Sequence, residues 1–387
     1  MKYAALVWSN LKRHKARTFF TLLSIVVAFV LFAYLAAARV AFRAGVDVAG
    51  ADRLLTTHKV SIIQPLPSGY REKIAAVPGV VAVTHSSWFG GIYQNPNTGF
   101  QGVFQNPVEP EAYLAMYPEF LIPEAEKRAW IADREGVLVG RKTAERYGWK
   151  VGDRVPVQAT IYRKKDGTKT WEFNLRGIYD GREKGTDTTQ FLFHYDYFDE
   201  ARQWGQGIVG WYVVRIADPA ATAEIGARID ALFENSPSET KTVTEKALMQ
   251  SFADQIGDIG AIIQWILAAV FFTLLLVAGN TMAQSVRERT SELAVLKTLG
   301  FSDLRVLALV LAESATLAVV GGGLGLALGA AAIGAGDPTG GFLPVFYFPE
   351  SDVVVGAVLV VILGLVTGLL PALAAKRLRI VDALRRA

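Results

Sequence analysis

Four long apolar stretches interrupt an otherwise mixed sequence of 387 residues. They cover residues 19–41, 259–283, 306–333 and 353–375. A helix rises about 1.5 Å per residue, so each stretch can cross a hydrocarbon core of about 30 Å. We predict one transmembrane helix from each. The small residues at 36–38 also fit the end of a cleaved signal peptide, but the first apolar run exceeds the usual h-region of about 7–15 residues.

The long segment between the first two apolar stretches, residues 42–258, has the pattern of a globular domain. Period-two and β-rich runs alternate with amphipathic helical runs, and Pro and Gly separate them. Residues 241–258 are polar, follow a helical pattern and lead into the second apolar stretch, as a stalk helix would. The sequence therefore predicts an α-helical membrane protein with four transmembrane helices plus a large α+β extracytoplasmic domain, of one or two lobes, inserted between helices 1 and 2.

Charge beside the apolar stretches predicts the orientation of the chain in the membrane. Residues 1–18 contain five basic side chains and no acidic one, and the tail, residues 376–387, contains five basic and one acidic. The connection at residues 334–352 contains three acidic side chains and no Lys or Arg. Because Lys and Arg accumulate on the cytoplasmic side, we predict cytoplasmic N- and C-termini and an extracytoplasmic domain.

The loop at residues 284–305, which joins the second and third apolar stretches, has a helical pattern of its own. Leu293, Leu296 and Leu299 form one apolar face, and charged residues form the rest. Gly300 stands where a helix would end, and Ser302 can cap the next helix. Two interpretations remain open from periodicity: a helix that docks on a cytoplasmic partner, or a polar loop that separates two helices. The candidate docking residues are Arg287, Glu288, Arg289, Glu292, Leu293, Leu296, Lys297, Leu299 and Gly300.

The third apolar stretch is rich in glycine and contains a single charge. Gly321, Gly325 and Gly329 recur every four residues, a spacing that lets membrane helices pack closely. No G-K-[ST] follows, so we do not interpret these glycines as a phosphate-binding loop. Glu313 is the only charged side chain in this stretch. It is either a functional carboxylate or a side chain that reaches the membrane surface.

Aromatic residues mark two candidate contact surfaces outside the membrane. Trp88, Phe89 and Tyr93 adjoin a stretch rich in Gly, Asn and Pro, which suits a binding loop but equally fits an ordinary domain core. Phe346 and Tyr347 precede the fourth apolar stretch and fit an interfacial aromatic belt, with a lipid or lipoprotein contact as the alternative.

Composition narrows the remaining classes of function. The mean hydropathy of +0.28 lies between soluble and fully membrane-embedded proteins. The chain has no cysteine, and His58, His85 and His194 show neither metal-ligand spacing nor a nucleophile–base motif, so we predict no catalytic residue and no metal site. A membrane-anchored enzyme is thereby disfavoured. The net charge of +4 comes from basic segments beside the apolar runs, which indicates membrane orientation and no nucleic-acid partner.

Three stretches resemble one family of membrane proteins. They are N-L-K-R-H-K-A-R-T-F-F-T-L-L-S-I at residues 10–25, E-R-T-S-E-L-A-V-L-K-T-L-G at 288–300 and L-P-A-L-A-A-K-R-L-R-I-V-D-A-L at 370–384. Together with the order of the spans, they resemble the permease subunits of MacB/FtsX-like (type VII) ABC transporters. Residues 137–155 resemble a recurrent element of that family's extracytoplasmic domain. Ile380 departs from the pattern, since proline is common there.

The resemblance implies a function as well as a fold. In this family the helix between the second and third spans is the coupling helix that docks on an ATPase subunit. No P-loop is present in this chain, so ATP and Mg would be bound by a separate ATPase chain, with no cofactor here. The resemblance further implies a bacterial inner membrane and two permeases, identical or paired homologues.

Two functions remain open under this resemblance. The first is mechanotransmission that exports or extracts an amphipathic or lipidated substrate, with membrane lipid and a periplasmic adaptor or carrier protein as further partners. The second is a transmembrane signalling protein that activates a cell-wall hydrolase without transport.

Overall fold

A computed structural model describes most of the chain as two compact units. The first unit comprises Met1–Val40, Asp258–Gly336 and Phe346–Ala387, and the second comprises Ala41–Gly257 and Asp337–Val345. The described residues are 13–48, 50, 52–93, 104–255, 259–338, 343 and 345–377, with the backbone alone for 42–48, 252–255 and 259.

The described residues form helices and strands that largely follow the predicted alternation. The helices are α1 (Lys15–Val48), α2 (Tyr70–Ala75), α3 (Pro110–Met116), α4 (Glu124–Ala132), α5 (Arg141–Tyr147), α6 (Tyr195–Ala201), α7 (Thr222–Ala231), α8 (Glu245–Gln255), α9 (Ile259–Glu288), α10 (Thr290–Thr298), α11 (Asp303–Gly334) and α12 (Glu350–Lys376). The strands are β1 (Arg53–His58), β2 (Leu66–Pro67), β3 (Val80–Ser86), β4 (Gly91–Ile92), β5 (Phe104–Val108), β6 (Phe120–Leu121), β7 (Gly136–Gly140), β8 (Arg154–Ala159), β9 (Thr170–Gly181), β10 (Gln190–His194), β11 (Ile208–Val209), β12 (Trp211–Ile216) and β13 (Thr240–Thr244).

The second unit is built on one mixed sheet with the strand order β13-β1-β12-β3-β5-β10-β7-β9-β8-β4. Strand β6 pairs with β9, and β2 pairs with β11 apart from this sheet. The β10–β5 and β7–β9 pairs are parallel and the others antiparallel. One residue pair, Ser86 with Val108, joins β3 to β5. The sheet therefore divides at that pair into an antiparallel half and a mixed half.

Both faces of the mixed half of this sheet are buried. In β10, Phe191 and Phe193 belong to one apolar cluster and Leu192 to another, because successive side chains of a strand point to opposite faces. Val139 and Leu138 of β7 divide in the same way. Burial on two faces explains why these strands are nearly continuous apolar runs in the sequence. The domain is therefore an α/β domain with apolar cores on both faces of its sheet.

The predicted stalk helix at 241–258 is wrong in its first residues. Residues 241–244 belong to β13, which pairs antiparallel with β1. The run T-K-T-V-T is rich in β-branched residues, which favour strands over helices. Helix α8 begins at Glu245, and residues 256–258 lie outside the described part of the chain. The Glu245 carboxylate is held by Arg53 Nε at 2.6 Å and by the Tyr117 hydroxyl at 3.1 Å.

The first unit contains four helices long and apolar enough to cross a membrane: α1, α9, α11 and α12. Each includes one of the predicted apolar stretches, and α9 continues five residues past the predicted end at 283, to Glu288. The four candidate spans confirm the predicted fold class of a multi-pass membrane protein.

The repeated glycines of α11 lie against α1. A Cβ added to Gly325 would lie 2.7 Å from the Phe29 Cβ, and one added to Gly329 would lie 2.6 Å from the Ala33 Cβ. A Cβ at Gly321 would lie 2.8 Å from Ile25 Cγ2. Glycine at these three positions therefore allows α11 and α1 to approach more closely than any larger residue would.

Candidate functional site

Helix α10 ends in a sharp turn at Gly300, whose φ is +93°. The Gly300 amide donates to the Lys297 carbonyl at 3.1 Å, and the Phe301 amide donates to the Leu296 carbonyl at 3.1 Å. This is the Schellman arrangement, which favours glycine because residues with a Cβ are strained at this φ. Ser302 occupies the predicted N-cap position of α11, although its side chain makes no capping hydrogen bond.

One face of α10 packs into the membrane unit. Leu293 is 1% exposed and Ala294 is fully buried. Leu293 belongs to an apolar cluster whose other buried members are Met282, Val286, Val306, Leu309, Val310, Leu317, Ala372 and Ala375. Leu296 is half-buried against the same cluster. The prediction that Leu293 and Leu296 face a partner is therefore wrong for Leu293, which anchors the short helix to α9, α11 and α12.

The opposite face of α10 is exposed and apolar. Val295 is 46% exposed and Leu299, one turn further on, is 73% exposed. Leu304, at the start of α11, is 67% exposed. Of the predicted apolar residues only Leu299 lies on this face, and the sequence reasoning missed Val295 and Leu304. Val295 and Leu299 are four residues apart, and this spacing could have predicted that they share a face of the helix.

Two acidic residues predicted to contact a partner instead bind basic residues near the start of α1. Glu288 accepts two hydrogen bonds from Arg17, at 2.7 and 2.8 Å, and its Oε2 lies 3.6 Å from His14 Nε2. Glu292 pairs with Arg13, which lies two residues before the start of α1. Both carboxylates therefore have partners in this chain, although they remain partly exposed, and their part in docking stays a prediction.

Arg289 and Lys297 are also turned inward. The Arg289 side chain is 10% exposed, and its Nη1 donates to Glu313 Oε2 at 2.8 Å. The Lys297 side chain is 7% exposed, and its Nζ contacts the Lys376 carbonyl at 2.7 Å and Asp303 Oδ1 at 2.8 Å. These two residues therefore connect α10 to α11 and α12 and do not form part of its outer surface. Arg287, in the last turn of α9, is exposed.

The polar contacts bind α10 to three of the four membrane helices. The Glu292–Arg13 pair reaches the start of α1, the Arg289–Glu313 pair reaches α11, and the Lys297 contact reaches the end of α12. Helix α9 ends at Glu288 and α10 begins at Thr290, so that Arg289 alone separates the two helices. A displacement of α10 would therefore act directly on all four helices.

The aromatic loop predicted in the second unit is mostly core where the structure describes it. Phe89 is fully buried, with its ring centre 5.2 Å from that of Phe193 and 5.3 Å from that of Trp171. The prediction that Phe89 contacts a substrate or partner is therefore wrong, since a large apolar ring gains more by burial in this cluster. Residues 94–103, which include most of the Gly-rich stretch, lie outside the described residues.

Trp88 and Tyr93 are half-buried beside that core. Trp88 Nε1 donates to the Ile62 carbonyl at 3.1 Å, and its ring lies 4.9 Å from Trp211. The Tyr93 ring lies 4.7 Å from that of Trp149. Both residues have internal packing partners, and each keeps an exposed edge.

The aromatic residues before α12 pack on α1. Phe346 is half-buried, with its ring 6.2 Å from Tyr34, and Phe348 lies 6.3 Å from Phe32. Tyr347 between them is half-buried. This placement is compatible with the predicted aromatic belt, and it joins the connection after α11 to Phe32 and Tyr34 of α1.

Two titratable groups of the second unit, His194 and Tyr117, make buried hydrogen bonds that stabilise the fold. Burial lowers the pKa of His194, whose Nε2 lies 2.8 Å from the Trp130 carbonyl and therefore carries the proton. Burial also raises the pKa of Tyr117, whose hydroxyl donates to Glu245. Within the described ranges, no group of three or more His, Asp or Glu side chains could hold a metal ion.

Two family models match the two units. A model described as the MacB-like periplasmic core domain matches residues 18–232, more than half of the chain. A model described as the FtsX-like permease C-terminal matches residues 262–380. The chain belongs to the MacB/FtsX-like family of ABC transporter permeases. The second model covers α10 and α11 entirely, so the short docking candidate lies within the family's membrane region.

Curated relatives of this permease include three ABC transporter permeases. It is 26% identical to one of Mycobacterium tuberculosis over 53% of this chain and 23% of that protein. It is 35% identical to YknZ of Bacillus subtilis over 35% of each chain. It is 23% identical to one of Methanocaldococcus jannaschii over 81% of this chain and 77% of that protein. The matched regions thus span about a quarter and a third of the length of the first two relatives.

Solved structures similar to the permease cover about half of its chain. One is the periplasmic region of MacB from Actinobacillus actinomycetemcomitans, 11% identical over 53% of this chain and 94% of that one, with a TM-score of 0.38. Another is the extracellular domain of the transporter YknZ from Gram-positive bacteria, 10% identical over 50% of this chain and all of that one, with a TM-score of 0.36.

Proposed function

We propose that this permease is the membrane subunit of an ATP-driven transporter that works by mechanotransmission. A separate ATPase chain, which binds ATP and Mg, docks on the exposed apolar face of α10. The observation that supports this proposal is that α10 is exposed and apolar on one side and packed against the membrane helices on the other. Val295 and Leu299 are exposed on one side, while Arg289, Leu293 and Lys297 bind the helix to the membrane unit on the other.

The docking surface is defined by Val295, Leu299 and Leu304. A group of exposed apolar residues on the surface of a protein commonly marks a site of contact with a protein or a membrane. Aromatic or aliphatic side chains in a pocket commonly carry most of the energy of such a contact, and nearby charges set its orientation. Arg305, which follows Leu304 in the sequence, and Arg287 at the end of α9 are exposed and would supply those charges. An acidic rim around an apolar pocket on the ATPase would complement this surface.

The ion pairs around α10 would transmit the motion of the closing ATPases to the membrane helices. A push on α10 is carried to α1 through Arg13 and Glu292, and to α11 through Arg289 and Glu313. The chain leaves α1 for the second unit and returns from it through α8 to α9. Motion of α1 and α9 would therefore change the second unit directly, and no substrate needs to pass between the four helices.

The proposed setting is the bacterial inner membrane, with both termini cytoplasmic and the second unit periplasmic. The basic residues near α1 and after α12 support this orientation. Two such permeases, identical or paired, would work with two ATPases. The substrate would be amphipathic or lipidated and would be exported or extracted at the outer face of the membrane, with a periplasmic adaptor or carrier receiving it.

A pull-down of the tagged full-length permease from mild detergent tests this proposal. We expect an ATPase chain to co-purify at a ratio of one to one, and to be lost on Leu299→Asp. Leu121→Asp, which changes an exposed leucine of the second unit, is the matched control and should retain the ATPase. Absence of an ATPase under every mild condition would contradict the proposal. A co-purifying cell-wall hydrolase would replace transport with the signalling function.

A further inference from the structure

A cavity of about 430 Å³ lies between α1, α9 and α12. Its walls are largely apolar, with Phe29, Phe32, Phe271 and Leu359 among them. Its volume falls within the range of about 300–1,000 Å³ typical of small-molecule sites. All of its lining residues belong to the membrane unit.

The cavity is polar at one end and apolar along the rest of its length. Arg39, Gln264 and Asp352 line one end, and they stand near the end of α1 and near the starts of α9 and α12. Ala28 and Leu274 line the other end, deeper in the same helices. From Ala28 to Arg39 a helix rises about 16 Å, close to half of a hydrocarbon core of about 30 Å. The cavity therefore spans one leaflet, the length of one lipid acyl chain.

At the polar end of the cavity, the Arg39 guanidinium donates hydrogen bonds to the described residues through only one of its three nitrogens. Arg39 Nη2 donates to both carboxylate oxygens of Asp352, at 2.7 and 2.8 Å. Within the described part of the chain, these are the hydrogen bonds that Arg39 makes, so Nε and Nη1 remain as donors. The Arg39 side chain is 34% exposed, whereas Asp352 is 8% exposed. Asp352 thus fixes the guanidinium, whose remaining donors suit a phosphate oxygen.

We infer that this cavity binds one acyl chain of a phospholipid, with its phosphate against Arg39. The ligand comes from the leaflet on the side where α1 leads into the second unit. An acyl chain fits the apolar walls, and a dry void of this size would lose their dispersion contacts. Water alone is disfavoured because polar groups occur only at the outer end. The inference goes beyond the proposed function, since it concerns the permease helices and does not require an ATPase.

Native mass spectrometry of the full-length permease tests this site with dioleoyl phosphatidylglycerol as the probe. The wild-type protein should retain one lipid per chain through detergent washing that removes the lipid annulus. The double variant Ala28→Phe with Ala268→Phe fills the cavity and should lose that lipid. Ala327→Phe with Ala330→Phe adds the same rings to exposed positions of α11, outside the cavity, and should retain it.

The headgroup contact is tested separately. Arg39→Gln should weaken retention of phosphatidylglycerol about tenfold, as expected for losing a hydrogen bond to a charged group. The same variant should leave dioleoylglycerol, which has the same chains and no phosphate, unchanged. Equal lipid retention by the cavity and control variants would overturn the site. Equal effects of Arg39→Gln on the two lipids would overturn the role of Arg39. Because no ATPase is used, neither result bears on the proposed docking of α10.

Discussion

Arg289 and Glu313 form a buried ion pair, with Arg289 Nη1 2.8 Å from Glu313 Oε2. The Arg289 side chain is 10% exposed and that of Glu313 is 6% exposed. The pair joins the residue before α10 to the third turn of α11. It also accounts for the single charge in the third apolar stretch, because Glu313 neutralises an arginine that the fold buries between α9 and α10.

Removing one partner of this pair should destabilise the permease more than removing both. Glu313→Ala leaves the Arg289 guanidinium buried without its carboxylate, which costs about 3–5 kcal/mol in such sites. Arg289→Met with Glu313→Leu removes both charges and should recover most of that loss. The check is thermal unfolding of the full chain in detergent. Glu224→Ala, which breaks an exposed pair with Arg228, is the control and should change little. A double variant no more stable than Glu313→Ala would contradict the account.

Two glycines of α11 should respond oppositely to alanine. A Cβ at Gly325 would lie 2.7 Å from the Val26 carbonyl oxygen, so Gly325→Ala must move α1 and should cost about 1–3 kcal/mol. Gly323 has nothing within 4 Å of an added Cβ, so Gly323→Ala should be neutral or stabilise by up to about 1 kcal/mol through helix propensity. Thermal unfolding of the two variants side by side measures the difference. Equal melting temperatures would show that α11 and α1 do not meet at Gly325.

The Arg17–Glu288 pair should matter for coupling more than for stability. Arg17→Glu places two like charges together at the junction of α1 and α9, and should reduce the ATP hydrolysis that depends on the permease. Adding Glu288→Arg restores an opposite-charge pair and should restore that activity. Arg134→Glu, which breaks an exposed pair with Glu200 in the second unit, should have no effect. If the double reversal is as impaired as the single one, the pair does not carry the coupling.

Acidification should weaken the second unit through His194. Burial lowers the pKa of His194 in the folded protein. In the unfolded chain the pKa of histidine is about 6.5, so just below this pH the unfolded chain binds a proton that the folded protein does not. The stability that this group contributes is therefore present above pH 6.5 and declines as the pH falls from about 7 to 5. Thermal unfolding followed by near-ultraviolet circular dichroism should show this slope in the wild type. His194→Gln, which can still donate to the Trp130 carbonyl, should flatten it.

The lowered pKa values of Glu109 and Asp133 affect a different pH range. Burial opposes ionisation of these carboxylates, but their ion pairs and hydrogen bonds outweigh it, and this contribution is lost as the pH falls below about 5. A slope that stays unchanged between pH 7 and 5 in His194→Gln would therefore assign the acid sensitivity to another group.

The sequence predicted the membrane spans and the order of the domains because those features depend on the length of apolar runs. It also located the end of α10, since Gly300 is required by the left-handed turn. The runs V-L-V at 137–139 and F-L-F at 191–193 are buried on both faces of a sheet. Apolar and polar residues do not alternate in these runs, because a strand of an α/β sheet is buried on both faces.

The inward and outward faces of α10 could not be read from its periodicity. Leu293, Leu296 and Leu299 recur at helical spacing, but Leu293 is buried and Leu299 exposed, because α10 has apolar residues on more than one side. The partners of its charges are distant in sequence: Arg13 lies 279 residues from Glu292. Only the packing of α1 beside α10 brings them together. The short strand at 240–244 was also missed, because this segment is a strand through its pairing with β1, which is distant in the sequence.

The central claim is that α10 docks on the ATPase through its exposed apolar face. The permease has no cysteine, so a single cysteine can carry a photoactivatable crosslinker. Leu299→Cys should crosslink to the ATPase chain, while Val81→Cys, in an exposed position of the second unit, should not. An ATPase that crosslinks from Val81→Cys but never from Leu299→Cys would contradict the account.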